Sequence, residues 1–376
     1  MLTKHILYSI IFVIFLNIGF CDHHNEPSND LDEDGSDSTS LNKMYVYSNF
    51  GKIFYLMDYK TFEVVEEIQL NVADTISCQG MILSTNRDFL FFQAEGSDQN
   101  PFFGFAIYNI KKDELENIFF TELEDMGPAY FISAQNYSEP GLIYIHFRDY
   151  GTYAVDLFEQ RIKELVSDEH DFVLDKRIFF SPDNQWIIVH KQWNGDIKGS
   201  FSELEFYTNS SGLHDLQFVL NKNDIDSISV YDFEFSNADK LCITFQLSNG
   251  RSRGIESYFG SYDLETKQLY RSSIKFPWSL NPYYTAYSSS RNEVYTIGGY
   301  DKFYIIDTGT YEIKSTVLLT DKIGGSSRII ITPNEDVAFV SCPSSNSIFA
   351  IDLNNRQVIK EINFQSPYRP YNMIIP

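Results

Sequence analysis

The residues best suited to bind a ligand share one position in a repeated pattern. A Ser or Thr recurs after a short apolar segment, at Ser84, Ser133, Ser181, Ser236, Ser288 and Thr332. The positions four residues earlier, with one residue from the last segment of the chain, are Gly80, Ala129, Arg177, Asp232, Tyr284, Arg328 and Tyr371. Two arginines in a chain of net charge −23 favour a small anion or a peptide carboxylate as ligand, because guanidinium groups bind carboxylates through paired hydrogen bonds. Salt bridges among the same charges are the alternative.

A second group of candidate binding residues lies in long segments between predicted strands. It consists of aromatic and basic side chains, Trp193, Arg251, Trp278 and Tyr300. Aromatic residues and Arg dominate binding energy at protein interfaces, so these segments predict a partner-binding surface. The same side chains could instead fold over the ends of their own sheets, and the sequence leaves both interpretations open.

Few residues suggest catalysis. The sequence contains no H-E-x-x-H, Walker or C-x-x-C-H motif, so no zinc, phosphate or covalent haem site is predicted, and no metal or cofactor is expected. His170, within an acidic segment, is the one candidate for the acid, base or metal ligand that a propeller-type lactonase or lyase would need. A solvated acidic loop is the alternative for His170. The histidines at positions 146, 190 and 214 are predicted to be structural.

The repeats predict the elements that would position these residues. Each Ser or Thr turn separates two apolar segments, and these are followed by an aromatic-apolar segment ending in Asp or Asn, a polar turn and a further segment. The turns are 44 to 55 residues apart, which fits the four short strands of a propeller blade. The first half of this pattern occurs six times and the second half seven times.

The two ends of the chain supply the missing half. Residues 44 to 47 correspond to a second strand without a first, and residues 373 to 376 to a first strand without a second. Pairing of these ends would complete a seventh blade and leave no open sheet edge at the seam. The sequence therefore predicts an all-β fold over residues 44 to 376, a seven-bladed β-propeller closed by the C-terminal strand pairing with the N-terminal blade.

The last repeat carries a family resemblance. Residues 330 to 364 read IITPNEDVAFVSCPSSNSIFAIDLNNRQVIKEINF, with a turn, a strand, a serine-rich loop, a strand ending in Ile-Asp and a strand of alternating charge. This order resembles the YVTN family of β-propellers. The resemblance is strong in the last blade, moderate in the first and sixth, and limited to the rhythm of elements elsewhere. It implies a fold more firmly than a function.

The N-terminal residues predict export. A basic start is followed by a nearly continuous apolar run from residue 6 to residue 20, and then by Cys21 and an acidic segment. At about 1.5 Å per residue this run is too short to cross a hydrocarbon core of about 30 Å, which favours a signal peptide over a transmembrane anchor. Cys21 resembles the lipidated cysteine of bacterial lipoproteins, although Phe20 stands where a small residue is usual. Secretion without a lipid is the alternative.

Residues 22 to 43 are predicted to form a disordered acidic tether. They contain seven acids against one base and almost no apolar residues, so they cannot bury enough surface to fold. The segment includes a D-x-D-x-D-G sequence beginning at Asp30, as in the first half of a calcium loop. Leu41 occupies the twelfth position, where a bidentate Glu is needed, so no calcium site is predicted.

Composition limits the partners. The charge of −23 argues against nucleic acid, since phosphate binding requires clustered Lys and Arg. Cys78, Cys242 and Cys342 are predicted to be buried, inert thiols. The sequence thus predicts a monomeric protein of the cell envelope, anchored to the outer membrane or cell surface through a lipid on Cys21. It is expected to act as a binding or scaffolding module for a protein or a small ligand. A periplasmic or secreted location, and a hydrolase or lyase activity, are the alternatives.

Overall fold

The computed structural model describes most of the chain after Leu41. The described residues are 42–48, 52–70, 77–84, 86–95, 103–120, 129–135, 141–147, 151–159, 161–167, 175–181, 183, 185–193, 201–208, 216–220, 228–237, 240–248, 255–276, 284–298, 302–319, 328–365 and 369–376. They form 28 strands in seven four-stranded antiparallel sheets. Within these ranges no helix is long and apolar enough to cross a bilayer.

Each sheet is one blade, whose strands follow one another from the innermost to the outermost. Blade 1 contains β28 (Pro370–Ile374), β1 (Lys43–Ser48), β2 (Ile53–Asp58) and β3 (Glu63–Gln69). Blade 2 contains β4 (Ser77–Leu83), β5 (Phe89–Glu95), β6 (Phe103–Asn109) and β7 (Glu114–Phe120). Blade 3 contains β8 (Ala129–Gln135), β9 (Leu142–Phe147), β10 (Gly151–Asp156) and β11 (Arg161–Ser167).

The other four blades follow the same order along the chain. Blade 4 contains β12 (Asp175–Phe180), β13 (Trp186–Trp193), β14 (Phe201–Thr208) and β15 (Leu216–Leu220). Blade 5 contains β16 (Ile228–Asn237), β17 (Lys240–Ser248), β18 (Ile255–Asp263) and β19 (Gln268–Phe276). Blade 6 contains β20 (Thr285–Ser288), β21 (Glu293–Gly298), β22 (Lys302–Asp307) and β23 (Ile313–Leu318). Blade 7 contains β24 (Arg328–Ile331), β25 (Val337–Cys342), β26 (Ser347–Asp352) and β27 (Gln357–Asn363).

The closure of the ring is as predicted. β28 pairs antiparallel with β1, and Val46 lies opposite Met373 while Tyr47 lies opposite Asn372. The strand assigned to the C-terminus therefore becomes the innermost strand of the blade that begins the chain. β1 starts at Lys43, one residue before the predicted boundary at Met44, because Lys43 still pairs with Asp58 of β2.

The core lies between the blades. One cluster joins Tyr295 and Ile305 of blade 6 to Val340 of blade 7, and another joins blade 7 to Met44 and Met373 of blade 1. Middle strands such as β21 are buried along their whole length, because neighbouring blades cover both faces. The outermost strand β27 is mostly exposed. This difference explains the continuous apolar runs of the middle strands and the charged outer ones.

The recurring Ser has a structural role at the turn after the innermost strand. The Ser181 hydroxyl accepts hydrogen bonds from the backbone N–H groups of Gln185 at 3.1 Å and Trp186 at 2.8 Å, and donates to Asp183. Ser84 makes the equivalent bonds in blade 2. The Ser84 and Ser181 side chains are buried. A small hydroxyl residue is needed at this turn because it satisfies backbone donors in the bend without occupying space.

The recurring Asp closes the turn before the outermost strand. One carboxylate oxygen of Asp307 accepts backbone N–H bonds from Gly309 and Thr310, and Asp352 makes the same pair of bonds in blade 7. The backbone hydrogen bond from Thr310 lowers the pKa of Asp307. The fifth residue of these turns has a positive φ, 59° at Tyr311 and 56° at Arg356. That conformation directs the residue toward the preceding blade, where Tyr311 meets Ser261 at 2.5 Å between hydroxyl oxygens.

Candidate ligand-binding site

The candidate site lies where the innermost strands begin and the second strands end, a region we call the entry end of the blades. Strand register places two of the proposed charged residues at or near this end: Arg328, opposite Ser341, begins β24, and Arg177, opposite His190, is the third residue of β12. Asp232, opposite Thr244, lies in the middle of β16. The three second-strand partners are polar and buried. Each charged residue therefore has a polar neighbour on the adjacent strand. Arg177 and Asp232 are described by their backbone positions only.

Arg328 and Tyr371 are the two proposed binding residues whose exposure is established. Arg328 is exposed at the first position of β24, and Tyr371 is 44% exposed on β28. β24 and β28 are in contact, so the two residues occupy neighbouring innermost strands. Within the described part of the chain no carboxylate lies within ion-pair distance of Arg328. The alternative interpretation, in which Arg328 forms a salt bridge, therefore lacks a carboxylate partner among the described residues.

Tyr284 differs from these two residues. It immediately precedes β20 and is half-buried, packed against the apolar cluster between blades 6 and 7. Its ring therefore forms part of the apolar core between these two blades. Trp193 ends β13 opposite Phe201, which puts its backbone at the entry end of blade 4. The remaining candidates, Cys21, His170, Arg251, Trp278 and Tyr300, lie outside the described residues.

Where the pairing of the innermost strands is irregular, hydrogen bonds form between neighbouring blades. The register of β28 shifts at Tyr371, whose carbonyl accepts a 3.4 Å hydrogen bond from the buried Ser341 hydroxyl of blade 7. The register of β4 shifts between Gln79 and Ile82, and the Met81 carbonyl there accepts a 2.8 Å bond from the Asn372 amide. A β-bulge leaves backbone groups without a hydrogen-bond partner on the adjacent strand. Here side chains of the preceding blade supply the missing hydrogen bonds to these groups.

His190 makes a third bond of this kind. Its Nε2 donates to the carbonyl of Val230, next to the register shift of β16, at 3.1 Å. The side chain is 6% exposed and packs against Phe233. This agrees with the predicted structural role of His190. The register also shifts in β4, β8 and β16. Counting four residues back from the turn therefore identifies structurally equivalent residues of different blades only where the register is regular, as in β12 with Arg177 and β24 with Arg328.

Sequence reasoning missed a polar cluster at the opposite end of blades 6 and 7. The Glu335 carboxylate accepts hydrogen bonds from the hydroxyls of Ser288 and Ser290 and from the backbone N–H of Ser289 and Ser290. Partial burial acts to raise the pKa of Glu335, but these hydrogen bonds outweigh it and lower the pKa to about 2. Arg291 donates to the Glu335 carbonyl at 2.9 Å. The signal in the sequence was the Ser-Ser-Ser-Arg run.

A buried charge lies beside this cluster. Glu293 is 4% exposed and accepts a 3.0 Å hydrogen bond from the Tyr295 hydroxyl. Lys314 of the same blade lies 3.0 Å from its carboxylate, and Arg356 of blade 7 lies 3.6 Å away. The hydrogen bond to Glu293 raises the pKa of Lys314. Every charge in this group has a partner, so the group serves to join two blades and offers no free cation to a ligand.

Other chemical groups are accounted for in the described residues. Cys242 and Cys342 are buried free thiols as predicted, and burial raises the pKa of each to about 12. The side chain of Cys78 is not described. Among the described residues no three His, Cys, Asp or Glu side chains are arranged to hold a metal. Residues 250 to 254 read G-x-S-x-G, but they join two strands of one sheet, β17 and β18, whereas a nucleophile elbow joins a strand to a helix.

Comparison with known proteins supports the fold alone. No protein-family model and no curated protein matches the sequence. Dihydro-heme d1 dehydrogenase NirN in complex with DHE superposes with a TM-score of 0.57 at 12% identity, over 89% of this chain and 75% of that one. A chain of the Mitotic Checkpoint Complex gives 0.53 at 9% identity, over 94% and 99% of the two chains. Apo AztD from Citrobacter koseri gives 0.51 at 10% identity, over 88% and 96%.

The three similar structures carry different names, and identities this low establish nothing beyond architecture. Seven four-stranded antiparallel sheets, closed by the pairing of the two chain ends, make up the described part of this chain. The chain is a seven-bladed β-propeller.

Proposed function

We propose that this propeller is a binding module of the cell envelope that holds an anionic group at the entry end, between Arg328 and Tyr371. The observation that carries the proposal is the exposed Arg328, which has no carboxylate partner among the described residues although acids outnumber bases 52 to 29. In such a protein an unpaired arginine at the rim is a local site of attraction for a carboxylate.

The surroundings of Arg328 suit a ligand with a carboxylate and an apolar body. Tyr371, on the adjacent innermost strand, exposes nearly half of its surface and can pack against such a body. The strand that carries Tyr371 is held by Ser341 on one side and by the Asn372 bond to Met81 on the other. Binding residues fixed in place before the ligand arrives lose less conformational entropy on binding.

The envelope location is part of the proposal and rests on the N-terminal sequence. The apolar run before Cys21, followed at once by an acidic segment, is the support for export and for lipidation of that cysteine. The last blade supports assignment to the YVTN type of propeller through its order of turn, serine-rich loop and Ile-Asp strand end. Mass spectrometry of the mature N-terminus tests lipidation, and an unmodified Cys21 would refute it.

A pair of peptides tests the binding site directly. We expect acetyl-Ala-Ala-Phe with a free carboxylate to bind at least about tenfold more tightly than its amide, since a hydrogen bond to a charged group contributes about 1.5–3 kcal/mol. Arg328→Glu should abolish this preference in isothermal titration calorimetry. Arg87→Glu is the matched control, because Arg87 is also exposed but lies at the turn end of blade 2. Equal binding of both peptides, or no effect of Arg328→Glu, would refute the site.

A further inference from the structure

The outermost strand of blade 1 is unusually open. β3 ends the sheet order β28-β1-β2-β3, and no described strand pairs with its outer edge. All five residues from Glu63 to Glu67 are exposed. Val64 is 43% exposed and Val65 is 50% exposed, although neither belongs to a loop. Two adjacent β-branched residues on a strand are therefore left in water.

A bulge explains why Val65 is exposed. In two other blades the same bulge position holds a charged residue instead of an aliphatic one. The register between β2 and β3 shifts so that Val65 has no partner on β2. The same shift places Glu116 at this position in blade 2 and Lys314 in blade 6. Those two charged residues form ion pairs within their own blades, with Lys112 and Glu293. Val65 has no such function in blade 1.

The charges around the two valines have one sign. Glu63, Glu66 and Glu67 are exposed, and no Lys or Arg of the described chain lies within ion-pair distance of them. In blade 7 the bulge residue Ile359 is also 40% exposed, but Lys360 follows it. β3 thus combines exposed aliphatic side chains with unpaired carboxylates and no base.

Charge complementarity identifies the partner. Like charges facing each other disfavour edge pairing with a second copy of this chain, and carboxylates repel anionic lipids and nucleic acids. Lys or Arg would pair with the carboxylates while aliphatic residues cover the valines. We propose that β3, around Val64 and Val65, is a docking surface for a basic protein segment in which Lys or Arg alternates with aliphatic residues. This surface is separate from the entry end, since β3 is outermost while β24 and β28 are innermost.

A synthetic probe tests the proposal without knowledge of the natural partner. The probe is a fluorescein-labelled, amidated peptide of alternating Lys and Val, about eight residues long to match a strand. Two comparison peptides replace Lys by Glu, or Val by Ser. We expect the Lys-Val peptide to bind at least about tenfold more tightly than either comparison peptide in fluorescence anisotropy, and its affinity to fall as salt is added.

Charge reversal on β3 provides the decisive variant. Glu63→Lys with Glu67→Lys should weaken binding of the probe at least about tenfold, because attraction becomes repulsion. Burial raises the pKa of the Tyr45 hydroxyl, and the negative charge of Glu66 adds to this effect, so Glu66 is left unchanged. The matched control is Glu265→Lys with Glu312→Lys, which changes the net charge equally at exposed turn residues of blades 5 and 6. Melting curves establish that all variants fold.

Three outcomes would overturn the proposal. Equal weakening by the two double variants would show attraction to the overall negative charge. Equal binding of the Lys-Val and Lys-Ser peptides would remove the aliphatic part of the surface. A dimer in sedimentation experiments that Val65→Lys dissociates would assign the surface to a second copy of this chain.

Discussion

The Asn372 side-chain amide donates a 2.8 Å hydrogen bond to the carbonyl of Met81, 291 residues away in sequence. Asn372 belongs to the innermost strand of blade 1, and Met81 to the innermost strand of blade 2. The bond therefore joins the last strand of the chain to the first blade that is complete within the sequence. It shows that β28 is held by a hydrogen bond to blade 2 as well as by its pairing with β1.

Deletion of residues 367 to 376 should abolish cooperative folding or greatly reduce the melting temperature. The deletion removes β28, exposes an edge of β1 and uncovers buried residues such as Met44 and Val46. Losing a large buried side chain such as Met373 alone costs about 2–5 kcal/mol. Circular dichroism melting provides the measurement. A truncated protein that melts at the temperature of the full chain would contradict the observed closure.

Asn372→Ala tests the hydrogen bond to blade 2 separately from the pairing of β28 with β1. We expect a loss of about 1–3 kcal/mol in the free energy of unfolding, because the Met81 carbonyl loses its side-chain donor. Ser344→Ala, at an exposed position of blade 7, is the control and should have an effect within about 0.5 kcal/mol. Urea denaturation measures both. Identical midpoints for Asn372→Ala and the control would refute the anchoring role.

Glu335 should make the joint between blades 6 and 7 sensitive to acid. Its pKa is lowered from 4.5 to about 2 in the folded protein, so its carboxylate stabilises the fold fully above the unfolded value of 4.5. This contribution should fade as the pH falls from 4.5 toward 2. Glu335→Gln should cost about 1–3 kcal/mol at pH 7, where a hydrogen-bonded charge is lost.

The difference in unfolding free energy between wild type and Glu335→Gln should shrink as the pH is lowered toward 2. Urea titrations at pH 7, 4 and 3 give the profile. A difference that stays constant over this range would mean that the carboxylate charge contributes nothing, and that only the shape of the side chain matters.

Tyr45→Phe should stabilise the protein. The Tyr45 side chain is fully buried, and its hydroxyl has no hydrogen-bond partner among the described residues. Removing an unsatisfied buried hydroxyl should recover part of a penalty of about 1–3 kcal/mol. Tyr108→Phe is the matched control in the neighbouring blade, since the Tyr108 hydroxyl donates to Asp113, and it should be destabilising. Melting temperatures that move in the same direction for both variants would contradict this interpretation.

The elements of the fold were predictable because their causes are local. Ser181 bonds to backbone groups four and five residues ahead, and Asp307 to groups two and three residues ahead. Such turns need particular side chains at fixed spacings, so they recur visibly in the sequence. The common direction of the innermost strands then placed Arg177 and Arg328 near the entry end, as counting from the turns predicted.

The contacts between blades were not predictable from spacing. Nothing near Ser341 in the sequence indicates that its hydroxyl meets the carbonyl of Tyr371, and nothing near Glu335 indicates the serines 45 to 47 residues earlier. The register shift at Tyr371 depends on how β28 fits between two blades. The absence of a described ion pair at Arg328 likewise depends on which residues the ring brings near it.

The sequence by itself determined the number of blades, their turns and the pairing of the chain ends. These features follow from backbone hydrogen bonds and apolar alternation within about 50 residues, a scale typical of one propeller blade. The tertiary structure alone decided which candidate residues are exposed, half-buried or paired. The physical reason is that each blade face is covered by a neighbouring blade, so the surroundings of a side chain depend on residues that the closed ring brings together.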